Sequence, residues 1–225
     1  MSNYVLLSSK SWHDSLFDTL KKRKTENWFR IKTNETFTFD ELNCISPVKV
    51  FIPHWSHIIS EDVFNQFECI VFHMTDLPYG RGGSPLQNLI VRGHEFTMIT
   101  ALRVNEGIDT GDIYLKKPLD LSGTAQVIFE RTVPIIESMI QEILDNNLQP
   151  VPQKGEPTLF KRRKPKESNI EELSDLTDVY NYIRMLDAPG YPKAFLETEH
   201  FKLEFTNPNY SDNEQVIADV RIIKK

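Results

Sequence analysis

Residues 68–90 read ECIVFHMTDLPYGRGGSPLQNLI. Cys69-Ile70-Val71-Phe72 is a short, continuously apolar run, the pattern of a strand covered on both faces. It ends on a titratable side chain, His73. A turn-rich loop follows, with Pro78, Gly80, Gly82, Gly83 and Pro85, and a helical pattern starts at Leu86. Open α/β sheets bind their ligands beyond the carboxyl ends of the strands. This stretch therefore predicts a sheet with a site at His73.

The flanking sequence extends that sheet. Tyr4–Ser8, Asn27–Lys32 and Lys49–Pro53 read as strands, separated by segments of helical length. Trp12, Leu16, Phe17 and Leu20 recur at helical spacing, and Asp62–Phe67 reads as a short helix. Thr97–Val104 and Ile113–Leu119 alternate as a further pair of strands. Ala125–Leu144 is a long helix that Pro134 should kink or split. The predicted class is α/β with a mostly parallel sheet, in a domain over 1–148.

Residues 149–170 read as an extended, solvated linker. They carry Pro150, Pro152, Pro157 and the basic run Lys161-Arg162-Arg163-Lys164-Pro165-Lys166, either a solvated face or a phosphate contact. Residues 171–225 form a small α+β extension. It has a helix over Leu173–Leu186 and two alternating strands, Phe201–Thr206 and Val216–Ile223, interrupted by Asn207-Pro208-Asn209. The apolar alternation of those strands serves packing or a homodimer interface.

The chain has 225 residues and a net charge of −6, which argues against a surface that coats nucleic acid. Two cysteines, Cys44 and Cys69, are the usage of a reducing compartment, with buried structural thiols. The N-terminus has no basic, apolar leader pattern, and no apolar stretch approaches the ~20 residues of a membrane span. The expectation is a cytoplasmic protein with no membrane and no nucleic-acid partner. His54, His57 and His73 lack the thiol or carboxylate cluster that would make them a metal centre, so none is assigned. The glycine pattern is neither a dinucleotide fingerprint nor a Walker A loop.

The chemistry rests on two loops. His73 carries an imidazole able to exchange protons near neutral pH. Asn105-Glu106-Gly107-Ile108-Asp109-Thr110-Gly111-Asp112 is a second polar loop at a strand end. If the two loops meet, His73 and Asp109 form a general acid–base pair suited to acyl transfer onto an amine.

His73-Met-Thr-Asp-Leu-Pro-Tyr-Gly-Arg-Gly-Gly-Ser-Pro-Leu-Gln, followed by the loop through Asp109-Thr-Gly, resembles the folate-dependent formyltransferases. The wording is most similar to the sugar N-formyltransferases of pseudaminic acid synthesis and to the formylation domain of nonribosomal peptide synthetases. The resemblance implies a Rossmann-like formyltransferase fold with N10-formyltetrahydrofolate as donor. It implies His73, Asp109 and Thr75 as catalytic residues. Trp55, His57, Ile58, Ile59, Asn105, Glu106, Gly107 and Ile108 are then donor-binding, and Arg81, Gly82, Gly83 and Ser84 substrate-binding. The implied acceptor is the amino group of a nucleotide-linked amino-dideoxy sugar. Methionyl-tRNA formylation and an inactive folate- or nucleotide-binding relative are the alternatives. Val71 stands where the family has an asparagine that holds the formyl oxygen. Thr75, His73 and His54 are the candidate replacements for it.

Overall fold

The computed structural model describes residues 1–211 and 214–225. It divides into two compact units. The first comprises Met1–Gly82, Thr97–Leu119 and Arg131–Leu159, and the second comprises Gly83–Phe96, Asp120–Glu130 and Phe160–Lys225.

The first unit is built on a six-stranded sheet. Its strands are β1 (Ser2–Ser8), β2 (Glu26–Ile31), β3 (Lys49–His54), β4 (Glu68–His73), β5 (Phe96–Arg103) and β6 (Ile113–Asp120), in the order β2-β1-β3-β4-β5-β6. β1 pairs in parallel with β2 and β3, and β3 with β4, whereas β5 is antiparallel to β4. The mostly parallel α/β sheet read from the sequence is the one observed. Its inner strands β1, β3 and β4 carry continuous apolar runs, residues 4–7, 50–53 and 69–72, because both faces are covered there. On one face Val5, Leu7, Val50, Ile52 and Cys69 are buried together with Leu42 and Val63 from two short helices. On the other, Tyr4 stacks on Trp28 with ring centroids 5.2 Å apart, Trp28 lies 5.7 Å from Phe51, and Phe51 lies 6.4 Å from Phe72. Full burial of each such side chain contributes about 1.5–3 kcal/mol before entropy is counted.

Three helices connect the parallel strands: α1 (Asp14–Leu20), α2 (Phe39–Ile45) and α3 (Glu61–Gln66). Hydrophobic period alone does not single out α2, although Thr38-x-x-Glu41 is the signature of a helix start. The Thr38 hydroxyl indeed accepts from the Glu41 amide at 3.2 Å.

The second unit holds α4 (Pro85–Ile90). It also holds α6 (Leu176–Arg184), capped by the Asp175 carboxylate, which accepts from the Thr177 amide at 2.7 Å. Its three-stranded antiparallel sheet consists of β7 (Ala194–Glu197), β8 (Phe201–Ser211) and β9 (Gln215–Lys224), in the order β9-β8-β7. The Asn207-Pro208-Asn209 interruption is a bulge within β8, where the register shifts between Thr206 and Asn209. Proline lacks the ladder donor, and a bulge is the place in a strand that tolerates it.

α5 (Ala125–Asp145) is one helix that contains Pro134 and is not split by it. Ile128, Phe129, Ile136, Met139, Ile140 and Ile143 are all buried. That burial outweighs the roughly 3 kcal/mol an internal proline costs. Among the described residues no helix is long and apolar enough to cross a membrane.

Candidate functional site

His73 closes β4, and its side chain is buried. Ile52 of β3 lies opposite Val71, so the two strands end together at His54 and His73. The loop after β4 turns back on the imidazole. The His73 Nε2 lies 2.8 Å from the Gly80 carbonyl. A carbonyl only accepts, so Nε2 carries the proton and donates it. In the neutral ring the lone pair therefore sits on Nδ1. That nitrogen stands 3.5 Å from Asp109 Oδ2, an ion-pair separation rather than a hydrogen bond. The same carboxylate oxygen accepts from the Gly82 amide at 2.9 Å.

Asp109 reaches this position by an indirect route. Because β5 is antiparallel to β4, Thr100 lies opposite His73, and Arg103 lies opposite Ile70 at the far end of the pairing. The loop that leaves β5 must return along β4 to bring Asp109 to His73. It is tightly folded to do so. The Arg103 amide donates to the Asp112 carbonyl at 2.8 Å. Asn105 Oδ1 accepts from the Thr110 hydroxyl at 2.8 Å and from the Gly107 amide at 3.2 Å. A Cβ on Gly111 would lie 1.7 Å from the Arg103 carbonyl oxygen, which admits only glycine there. Asp109 itself has a left-handed φ of 54°, an uncommon conformation for a non-glycine residue that neighbouring contacts help to hold.

Further contacts to the loop come from a segment that reads in the sequence as a solvated linker. The Val151 amide donates to the Ile113 carbonyl at 2.9 Å, and the Ile113 amide donates back at 2.8 Å. Further on, the Thr158 carbonyl accepts from the amides of Gly80 and Arg81 at 3.0 and 2.9 Å. Between these anchors Gln153 donates to the carbonyls of Asp109 and Gly111 and accepts from the Arg81 guanidinium. No local pattern in the sequence marks this glutamine, because its partners lie 42–72 residues away.

The remaining expected residues fall into distinct places. Thr75 is fully buried. Its hydroxyl is directed at the Gly80 carbonyl at 3.4 Å, and its own carbonyl accepts from Thr100 at 2.7 Å. It braces the loop that holds His73. Ile59, expected to line the donor site, is in the buried core at 7% exposure. Ile58 and Ile108, by contrast, are 87% and 68% exposed. His57 and Glu106 are exposed as well. Trp55 packs edge-on to Phe37, and its buried Nε1 has no acceptor among the described residues. Val71 packs on the core together with Val104. Arg81 and Gly82 are engaged by Gln153 and Asp109. In the second unit a Cβ on Gly83 would lie 2.6 Å from the Arg162 Cβ, and the Ser84 hydroxyl accepts from the Arg163 amide at 3.1 Å.

Two histidines near the ends of β1 and β3 are held neutral. Burial, followed by the positive field of Lys10, pushes His54 down to about 4. His13, which no sequence motif singles out, is buried with Nδ1 2.7 Å from the Ser8 hydroxyl. Burial, then His54, Arg30 and Lys10, pushes it down to about 3. Cys69 is buried, and that burial raises its thiol to about 12, whereas Cys44 is exposed rather than buried. Among the described residues no three His, Cys, Asp or Glu side chains gather as metal ligands.

With this geometry in place, comparison with known proteins identifies the lineage. The sequence model described as "Formyl transferase" matches residues 18–142. The chain belongs to the formyl transferase family. A second model, "Methionyl-tRNA formyltransferase, C-terminal domain", matches residues 165–223 of this formyl transferase. A solved structure titled methionyl-tRNA formyltransferase from Clostridium thermocellum is 46% identical, with a TM-score of 0.97 and 100% of each chain covered. A curated methionyl-tRNA formyltransferase from Caldicellulosiruptor saccharolyticus is 29% identical over 70% of this chain and 52% of its own length. The chain spans about half the length of the curated relatives it matches. A sugar N-formyltransferase from Shewanella covers 92% of this chain and 97% of its own, with a TM-score of 0.72 but only 17% identity. That likeness extends to the fold alone.

These findings correct two expectations, the nucleotide amino sugar as acceptor and the absence of a nucleic-acid partner. The resemblance around His73 and Asp109 is to formyltransferases as a group and says little about the acceptor. The net charge of −6 is a sum over the chain and does not describe the face on which Lys161–Lys166 lies.

Proposed function

We propose that this formyl transferase moves the formyl group of N10-formyltetrahydrofolate to the amino group of methionine on methionyl-tRNA. The observation that carries this reading is the 46% identity along the full length of the Clostridium thermocellum methionyl-tRNA formyltransferase structure. A cytoplasmic location belongs to the same reading.

The donor-side residues fit a flat heteroaromatic ligand. Trp55 offers a buried, unanswered N–H, and Ile58 and Ile108 expose apolar surface on the two loops. When bound, the donor supplies the formyl carbon, which gains a bond to the methionine nitrogen as its bond to N10 breaks. The chain's own residues handle the proton that the amine must lose. His73 Nε2 is committed to the Gly80 carbonyl, so Nδ1 is the nitrogen that receives it. Asp109 faces Nδ1 and stabilises the imidazolium that results. His73 then passes that proton to the released folate nitrogen and returns to its neutral form. The Gly82 amide keeps the carboxylate in place. Thr75 is assigned to bracing the loop rather than to contact with substrate.

The test is incubation of the protein with N10-formyltetrahydrofolate and methionyl-tRNA, following formylmethionyl-tRNA and released tetrahydrofolate together. Stoichiometric appearance of both is the expected result, and absence of formylated tRNA at saturating donor rejects the reading. A second reading, a donor-binding relative without turnover, is favoured by Val71, which offers no hydrogen-bond donor to the formyl oxygen. Calorimetry showing donor binding in a protein with no turnover would establish it.

A further inference from the structure

We propose that Gln153 is a positioning residue of the formyl-transfer site, holding Asp109 in register with His73. The proposal rests on the formyl-transfer reading for its catalytic consequence but not for its geometry. The Gln153 amide is used in full. Its Nε2 donates to the Asp109 carbonyl at 2.9 Å and to the Gly111 carbonyl at 2.8 Å. Its Oε1 accepts from Arg81 Nη2 at 2.8 Å and Arg81 Nε at 3.2 Å. The orientation is unambiguous. A flipped amide would set its N–H groups against a guanidinium and its oxygen against two carbonyls.

Three features make this more than a surface contact. Asp109 is held at a φ of 54°, a left-handed conformation that aspartate visits only occasionally. Gln153 takes hold of the backbone of that very residue. The Asp109 carboxylate meets Gly82, and Gly82 directly follows the Arg81 held by the other end of Gln153. One side chain thus ties the glycine turn and the aspartate loop to each other. Gln153 is in turn carried by main chain anchored on both sides, through Val151 to Ile113 and through Thr158 to Pro78, Gly80 and Arg81. A leucine of similar size keeps the volume and loses all four bonds. A glutamate keeps the Arg81 contact but sets an oxygen against the two carbonyls.

The experiment compares Gln153→Leu and Gln153→Glu with wild type, each also in an Asp109→Asn background. Displacing a reacting group by about 1 Å costs on the order of 10²-fold. Gln153→Leu is therefore expected to lower kcat by roughly 10–100-fold with little change in the donor KM. In the Asp109→Asn background the same substitution is expected to add only a small further loss, because its effect passes through Asp109. A full, independent loss there, or a rise in KM with kcat unchanged, overturns the proposal. The Gly82 amide proton resonance reads the geometry without turnover. It is expected to move upfield and lose exchange protection in Gln153→Leu, while amides of β1 and β3 keep theirs. An unchanged Gly82 signal overturns the proposal. If wild type transfers no formyl group, the formyl-transfer reading fails and the Gly82 signal still decides the role of Gln153. Should Gln153→Leu not fold, Gln153→Glu provides the same readouts.

Discussion

Asp109 Oδ2 stands 3.5 Å from His73 Nδ1, while the Gly82 amide holds the same oxygen at 2.9 Å. The carboxylate is thus fixed by the glycine turn and faces the imidazole without being spent on it. Such a pair leaves Nδ1 able to accept a proton and provides a negative charge to meet the cation that forms.

Replacing either partner should remove most of the activity. His73→Ala and Asp109→Asn are each expected to lower kcat by about 10²–10⁴-fold. The double variant should lose much less than the product of the two, because the residues act on one proton. Steady-state formyl-transfer rates of the three variants check this, and near-wild-type activity of His73→Ala would refute the assignment.

The two loop glycines Gly111 and Gly93 should respond differently to alanine. At Gly111 a Cβ meets the Arg103 carbonyl oxygen at 1.7 Å, so the backbone itself must move. Gly111→Ala is expected to cost about 1–3 kcal/mol of stability and to impair catalysis, because Asp109 lies two residues away. At Gly93, φ is +75° with nothing within 4 Å of an added Cβ. Gly93→Ala should cost only the ~1–2 kcal/mol of left-handed backbone strain. Urea unfolding of both variants, together with kcat, separates the two mechanisms.

The histidines near β1 and β3 predict an acid-sensitive fold. His13 and His54 stay neutral in the native state, down to about 3 and about 4 respectively. Unfolded, each titrates near the ordinary histidine value of 6.5. Below pH 6.5 the unfolded chain therefore binds more protons, and stability falls as pH falls from there toward about 4. Each histidine contributes a slope of up to about 1.4 kcal/mol per pH unit. Denaturant unfolding between about pH 6.5 and about 5, above the range where ordinary carboxylates titrate, should show this slope. His54→Gln should reduce it, and an unchanged slope in that variant would contradict the assignment.

If methionyl-tRNA is the acceptor, as proposed above, the basic segment should appear in the salt dependence of its binding. Lys161, Lys164 and Lys166 are exposed. The Arg163 guanidinium lies over the Tyr182 ring at 5.1 Å and donates to the Glu167 carbonyl at 2.6 Å. A triple Lys161→Ala, Lys164→Ala, Lys166→Ala variant is expected to bind methionyl-tRNA more weakly. The slope of log affinity against log salt should become shallower by ~2–3 units, since each lysine neutralises one phosphate and releases its counterion. An unchanged slope would refute the assignment of this segment to phosphate contact.

Much of this protein is written in local pattern. Cys69–Phe72 and Lys49–Pro53 read as buried strands because a strand covered on both faces must be apolar at every position. His73 stands out because it closes such a run and opens a glycine-rich turn. The pairing of His73 with Asp109 is legible only on the condition that their two loops meet, which the structure supplies. The Thr38-x-x-Glu41 helix start is also present in the sequence, in a segment whose apolar residues are too few to announce a helix. Thr75 and Ile59 look alike in sequence whether they face a ligand or the core, and only packing assigns them inward.

By itself the sequence determined the strands, the helix patterns and the two loops that hold a histidine and an aspartate, since hydrophobic period and turn chemistry act over a few neighbouring residues. The tertiary structure alone decided that β5 runs against β4, so that the Asp109 loop must double back. It also decided that Gln153 ties that loop to Arg81 and that His13 is buried in neutral form. These are contacts between residues distant in the chain, made by groups whose chemistry is ordinary until the fold removes water and supplies a partner.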